Sequence, residues 1–147
     1  MKRVIEIGGA HQGFYEDGVI DITYNGDMHG PHASNLLRCS VQYPTGIHSV
    51  WCSDVAKLGT FTPEARKIMS VPTPDMPVSN EQTHTHLFIS GASIKTKAVL
   101  TLVMAATQLL GNIRYHTEYC DSHEEARRRA HEKMQSLLAA GLAKLPV

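Results

Sequence analysis

Hydrophobic and polar positions recur along the chain with two different periods, and each change of period marks an element. "VIEI" (Val4 to Ile7) is a short β-branched run that stops at Gly8-Gly9, which reads as a strand and its exit. In "GFYEDGVIDITYNG" the Asp17-Gly18 pair supplies residue types that tolerate positive φ. The segment therefore predicts a hairpin with Val19 to Tyr24 as its second strand. The period then becomes helical. Ala33, Leu36, Leu37 and Val41 share one face after Pro31 in the first turn, and Pro44 and Gly46 close the helix. "IHSVWCSDV" is the next strand, centred on Val50, Trp51 and Cys52. A polar turn over Leu58 to Thr62 leads to a short helix with Thr62 as N-cap and Pro63 at N1, facing inward through Ala65, Ile68 and Met69.

The stretch from Val71 to Thr83 has three prolines and no periodicity, so it predicts a mobile loop beside a contact surface. "HTHLFIS" is a strand that leaves through "GAS" into "IKTKAVLTLVMAATQLLG". That helix is apolar nearly all round, which predicts the most buried helix of the fold, with Gly111 at C′. In "NIRYHTEY", Ile113, Tyr115, Thr117 and Tyr119 alternate with Arg114, His116 and Glu118, as in an edge strand with one wet face. The last helix, from about residue 122 to 140, opens with a Ser122–Glu125 capping box and carries the apolar row Ala126, Ala130, Met134, Leu137 and Leu138. Strands that lead and then alternate with helices predict an α/β fold. Its mixed central sheet would have about five strands and about four helices, in a single domain over residues 1–147.

Composition narrows the function classes. Lys plus Arg and Asp plus Glu balance at 14 each, so no net field draws the chain to nucleic acid or an anionic membrane. Arg127, Arg128 and Arg129 read as a solvated helix face paired with Glu124 and Glu125. Three scattered cysteines, Cys39, Cys52 and Cys120, suit a reducing cytoplasm, and "MKRVIEIGG" lacks the apolar core of a signal peptide. The longest apolar run, Ala98 to Leu110, is too short for a hydrocarbon layer of ~30 Å. A cytoplasmic protein with no integral membrane association is the expectation.

"SDVAKLGTFTPEARKIM", "FISGASIKTKAVLTLVMAATQLL" and "YCDSHEEARRRAHEKM" together resemble the STAS-like proteins, which include the bacterial anti-sigma factor antagonists and their lipid-binding relatives. The likeness runs from about Val19 to Met134 and rests on element order and apolar positions. It implies a regulatory or ligand-binding domain without catalysis of its own. One departure matters: where the antagonists carry Asp and a phosphorylated Ser, this chain has Thr62-Pro63, so the acceptor is replaced and only the Thr62 hydroxyl remains.

Candidate chemistry centres on the rim where parallel strands end and helices begin, the usual ligand edge of α/β sheets. Asp54, Thr60, Thr62, Gly91, Ser93 and Lys95 would form a site for a protein partner or a small anion at two helix starts. No cofactor is implied, and a homodimer through the edge strand is compatible with the pattern. Nine histidines are many for 147 residues, and "HTH" puts His84 and His86 on one strand face, the basis for a metal-dependent enzyme as an alternative. His29 and His32 open the first helix. No HExxH or CxxC spacing accompanies any of them, so surface and capping roles are the simpler expectation. A second alternative is a lipid carrier with a cavity lined by Phe88, Leu102, Met104 and Leu109. Nucleophilic catalysis by Cys52, Ser53 or Ser93 has no elbow motif behind it, and Cys52 lies in an apolar strand that predicts a buried, inert thiol.

Overall fold

A computed structural model describes residues 2–70 and 81–146. Strands β1 (Arg3–Gly8), β2 (His11–Glu16) and β3 (Val19–Met28) come first. Then α1 (Gly30–Gln42), β4 (His48–Phe61), α2 (Pro63–Ser70), β5 (Thr83–Ser90), α3 (Ile94–Gly111), β6 (Ile113–Cys120) and α4 (His123–Ala139) alternate. The fold is α/β with one mixed sheet of six strands in chain order, β1-β2-β3-β4-β5-β6. That fits the expectation of about five strands, and "VIEI" joins the hairpin with Val4 opposite Phe14. β1, β2 and β3 are antiparallel, and β3 to β6 are parallel. Asp17 and Gly18 both take positive φ, 49° and 88°, which is what the tight β2–β3 turn requires.

The positions of the three crossover helices follow from that strand order. The order never reverses, so right-handed crossovers place α1, α2 and α3 on the same face of the sheet. There Ala33, Leu36, Cys39 and Ala65 pack on Ile20, Ile22, Trp51, Val55 and Ile89. α4 alone covers the opposite face, setting Ala126, Ala130, Met134 and Leu137 on Val19, Val50, Cys52 and Phe88. Ser122 caps it as the sequence predicts, its Oγ accepting from the Glu125 N–H at 3.1 Å, but Glu125 Oε2 accepts from the Asp121 N–H at 3.3 Å, one residue short of a full capping box.

Four local expectations change. β4 does not stop for a turn at Leu58; it runs to Phe61, because β3 continues beside it as far as Met28↔Phe61 and both ends are buried. α3 is not the most buried helix. As the last crossover it lies at the sheet margin against β6 and α2, and Ile94, Leu102 and Leu109 are 89%, 72% and 86% exposed. Its left-handed exit residue is Asn112 rather than Gly111. On α1, Val41 is exposed and Cys39 takes the inward place. Residues 71–80 of the expected mobile loop lie outside the described residues. No helix among the described residues is long and apolar enough to cross a membrane.

Candidate functional site

The rim residues are present but do not meet. Asp54 stands opposite Ser90, yet β4 continues seven residues further before α2 starts. At ~3.3 Å per residue that separates the two helix starts by roughly 20 Å along the strand. The sheet also lacks the reversal of strand order at which a ligand crevice opens. Each polar group already has a local task. Thr62 Oγ1 accepts from the Ala65 N–H at 3.1 Å, and Ser93 Oγ from the Thr96 N–H at 3.1 Å. Thr60 donates its N–H (2.8 Å) and hydroxyl (3.3 Å) to Asp27, and Asp54 accepts from the Ala56 N–H at 3.1 Å. Gly91, at φ 76°, leaves no room for a side chain, since a Cβ there would lie 2.6 Å from that of Ala56. Lys95 is exposed on the first turn of α3. The residues proposed to line a lipid cavity also diverge. Phe88 is buried on the α4 face, whereas Leu102 and Leu109 point to solvent from the other side of the sheet.

Under the first turns of α4 sits a buried polar cluster. Alternation along β3 turns Asp21 onto the α4 face beside Val19, in the middle of the apolar run "VIDIT". Its Oδ1 accepts from His123 Nε2 at 2.8 Å and its Oδ2 from Arg127 Nε at 2.7 Å. Burial pushes the Asp21 carboxyl up, but the hydrogen bonds from His123 and Arg127 and their charge outweigh it and leave it below its ordinary value. Arg127 stays solvent-exposed as expected but takes Asp21 as its partner, while Arg128 and Arg129 pair along the helix with Glu132 and Glu125 at 2.8 and 2.7 Å. Ser90 Oγ lies 3.4 Å from His123 Nδ1, completing a hydroxyl–imidazole–carboxylate series. Ser90 is only 2% exposed, His123 16%, and Arg127 occupies the second oxygen of Asp21. Cys52 adjoins it, fully buried, its thiol pushed up first by burial and then by the Asp21 charge, which is the inert thiol the sequence predicts. Asp21, Cys52 and His123 bring three metal-type donors within 4.8 Å, but Arg127 supplies the positive charge an ion would bring. The cluster anchors α4.

Nearer the other end of the same face, four histidines come together. His84 and His86 share it as "HTH" predicts, and strand register adds His48 from β4 (opposite His84) and His116 from β6 (opposite His86). The in-register pairs stack face to face, with centroids 4.6 and 4.7 Å apart and planes within 14°. The diagonal pairs meet edge to edge, His48 Nδ1 to His86 Nε2 at 3.0 Å and His84 Nδ1 to His116 Nε2 at 2.9 Å. Burial, followed by the charge of Lys133 and of the neighbouring rings, pushes His86 down to about 4. Burial likewise lowers His48 and His116, helped by Lys133 and, at His116, by Arg114. These are not the scattered surface histidines that motif spacing suggests.

The third feature is the outer margin. The exposed residues Ile94, Ala98, Leu102, Ala105 and Leu109 form one stripe along α3 at helical spacing. The helix holds β6 beneath it, Lys97 Nζ lying 4.6 Å from the Tyr119 ring centroid and Thr117 Oγ1 3.5 Å from Met104 Sδ. β6 is the terminal strand of the sheet, and the Tyr115 N–H on its open side is taken by Gln108 Oε1 at 3.1 Å.

Asp21, His123, Arg127, His48 and His116 went unselected in the sequence. Only Asp21 carried a usable signal, a carboxylate inside an apolar alternation, which marks a buried polar group in need of partners. No family model, curated protein or solved structure matches the chain.

Proposed function

We propose that the chain is a non-enzymatic α/β binding module of STAS-like type that works through protein contact, and that its docking surface is the α3 stripe with the open edge of β6. Support for a module without catalysis comes from the Ser90–His123–Asp21 series, in which the hydroxyl is 2% exposed and the carboxylate is held by Arg127. One observation carries the reading: α3 turns Ile94, Leu102 and Leu109 to solvent beside β6, whose outer edge meets no further strand among the described residues, and an apolar ridge beside such an edge is a surface in want of a partner.

The occupant is a second copy. Antiparallel pairing of two β6 strands about a two-fold axis at His116 sets Arg114 against Glu118 of the partner copy and Tyr115 against its Thr117. Charges of opposite sign then face each other twice, each Glu118 being shared with Arg129 of its own chain. The Tyr115 N–H already points outward, so Gln108 yields its place to a backbone carbonyl. The same two-fold axis brings the two α3 stripes together, where Ala98 and Ala105 permit close approach. Sedimentation of the wild-type chain should show a dimer. Leu102→Glu or Arg114→Glu should shift it to monomer, and Arg114→Glu with Glu118→Arg should restore pairing. A wild-type monomer at every concentration examined, or charge reversals without effect, refutes it.

A further inference from the structure

We propose that the four-histidine array on the α4 side of β4, β5 and β6 binds a late first-row divalent metal ion, such as copper, nickel or zinc, through His84 Nδ1 and His116 Nε2. The donor set is imidazole nitrogen without carboxylate or thiolate, which suits these ions and not the oxygen-seeking magnesium or calcium.

The distances fit a chelate. Two imidazole nitrogens bound to one tetrahedral ion at ~2.0–2.1 Å lie roughly 3.3 Å apart. His84 and His116 stand at 2.9 Å and need only a small side-chain rotation to open. His116 is exposed and His84 half-buried, so an ion and its completing waters have access from solvent. The rings are held in place before the ion arrives, His48 stacked on His84 and His86 on His116. His48 and His86 form a similar pair at 3.0 Å, but His86 is 6% exposed and that pair is closed off. Four nitrogens in two separate pairs are not a convergent cage. Among the described residues, three donor atoms approach within 4.8 Å only at Asp21, Cys52 and His123. The ion is therefore held by two protein ligands with water in the remaining positions. Lys133 on α4 and Arg114 on β6 bring the opposing charge, and the Lys133 ammonium, on its flexible stem, must swing aside. His116 also stands on the two-fold axis of the proposed dimer, so the titration is run on the monomeric Leu102→Glu chain as well as on the wild type, and binding kept in the monomer separates the site from the pairing.

The test is calorimetric titration of the tag-free, chelator-stripped chain with copper(II), nickel(II) and zinc(II), with electron paramagnetic resonance of the copper form. One ion per chain and nitrogen couplings in the copper spectrum are expected. His84→Gln or His116→Gln should weaken binding about tenfold or more. Lys133→Met should tighten it, and His11→Gln, remote from the array, should leave it unchanged. Circular dichroism confirms that each variant folds. If His116→Gln, at an exposed position, binds as tightly as wild type, or if the wild-type copper spectrum lacks nitrogen couplings, the site is overturned whatever the other variants do.

Discussion

Replacing Asp21 with alanine tests whether α4 is held to the sheet by more than its apolar row. The carboxylate accepts from His123 at 2.8 Å and Arg127 at 2.7 Å, and a hydrogen bond to a charged group contributes about 1.5–3 kcal/mol. The His123 side chain is 16% exposed, so its bond belongs near the lower end of that range. Arg127 is 46% exposed, and solvent screening reduces its share to about 0.5–1 kcal/mol. The expected loss for Asp21→Ala is therefore about 2–3 kcal/mol. In a chain of this length that lowers the melting temperature by roughly 5–10 °C. Urea unfolding followed by circular dichroism measures it, and the slope should stay that of wild type. A double-mutant cycle with His123→Ala should give a coupling of about 1–2 kcal/mol, larger than the cycle with Arg127→Ala. A loss below about 0.5 kcal/mol with no coupling in either cycle would refute the anchor and leave α4 docked by Ala126, Ala130, Met134 and Leu137 alone.

Two further outcomes follow. Because the folded Asp21 carboxyl titrates below its unfolded value near ~3.9, the unfolded chain binds more protons in the interval between the two. Its contribution is therefore complete above that unfolded value and is lost as pH falls through the lower folded one. Asp21→Asn should flatten acid unfolding in that window; a wild-type curve in the Asn variant contradicts it. Gly91→Ala meets both a strained φ of 76° and the Ala56 backbone nitrogen at 2.8 Å, whereas Gly46→Ala meets only a φ of 98° with no atom within 4 Å. The first should cost about 2–3 kcal/mol and the second about 1, measured by the same urea curves, and equal losses would show that the contact with Ala56 relaxes freely.

Periodicity made much of the architecture legible. Asp17-Gly18, the Thr62 and Ser122 caps and the apolar row of α4 each depend on neighbours within a few residues, and so does the α/β alternation. The candidate site was less legible because its members are brought together by strand register. "HTH" declares two histidines on one face of β5, but nothing local to "IHSV" or "RYHTE" states that His48 and His116 will stand beside them. The rim failed for a related reason. Seven further residues of β4 find partners in β3, and a strand keeps going while its backbone groups are paired and its alternate side chains buried.

The sequence by itself determined the order and type of strands and helices, the Thr62 and Ser122 N-caps and the inert Cys52 thiol, since these follow from conformational preference and the period of apolar positions. Only the tertiary structure decided which apolar face is covered. An all-round apolar helix reads as buried, yet α3, as the last crossover of a sheet whose order never turns back, has protein on two sides and water on the rest. It likewise chose Arg127 from three adjacent arginines to meet Asp21, because the rotation of α4 that buries Ala126 and Ala130 points that one side chain at the sheet.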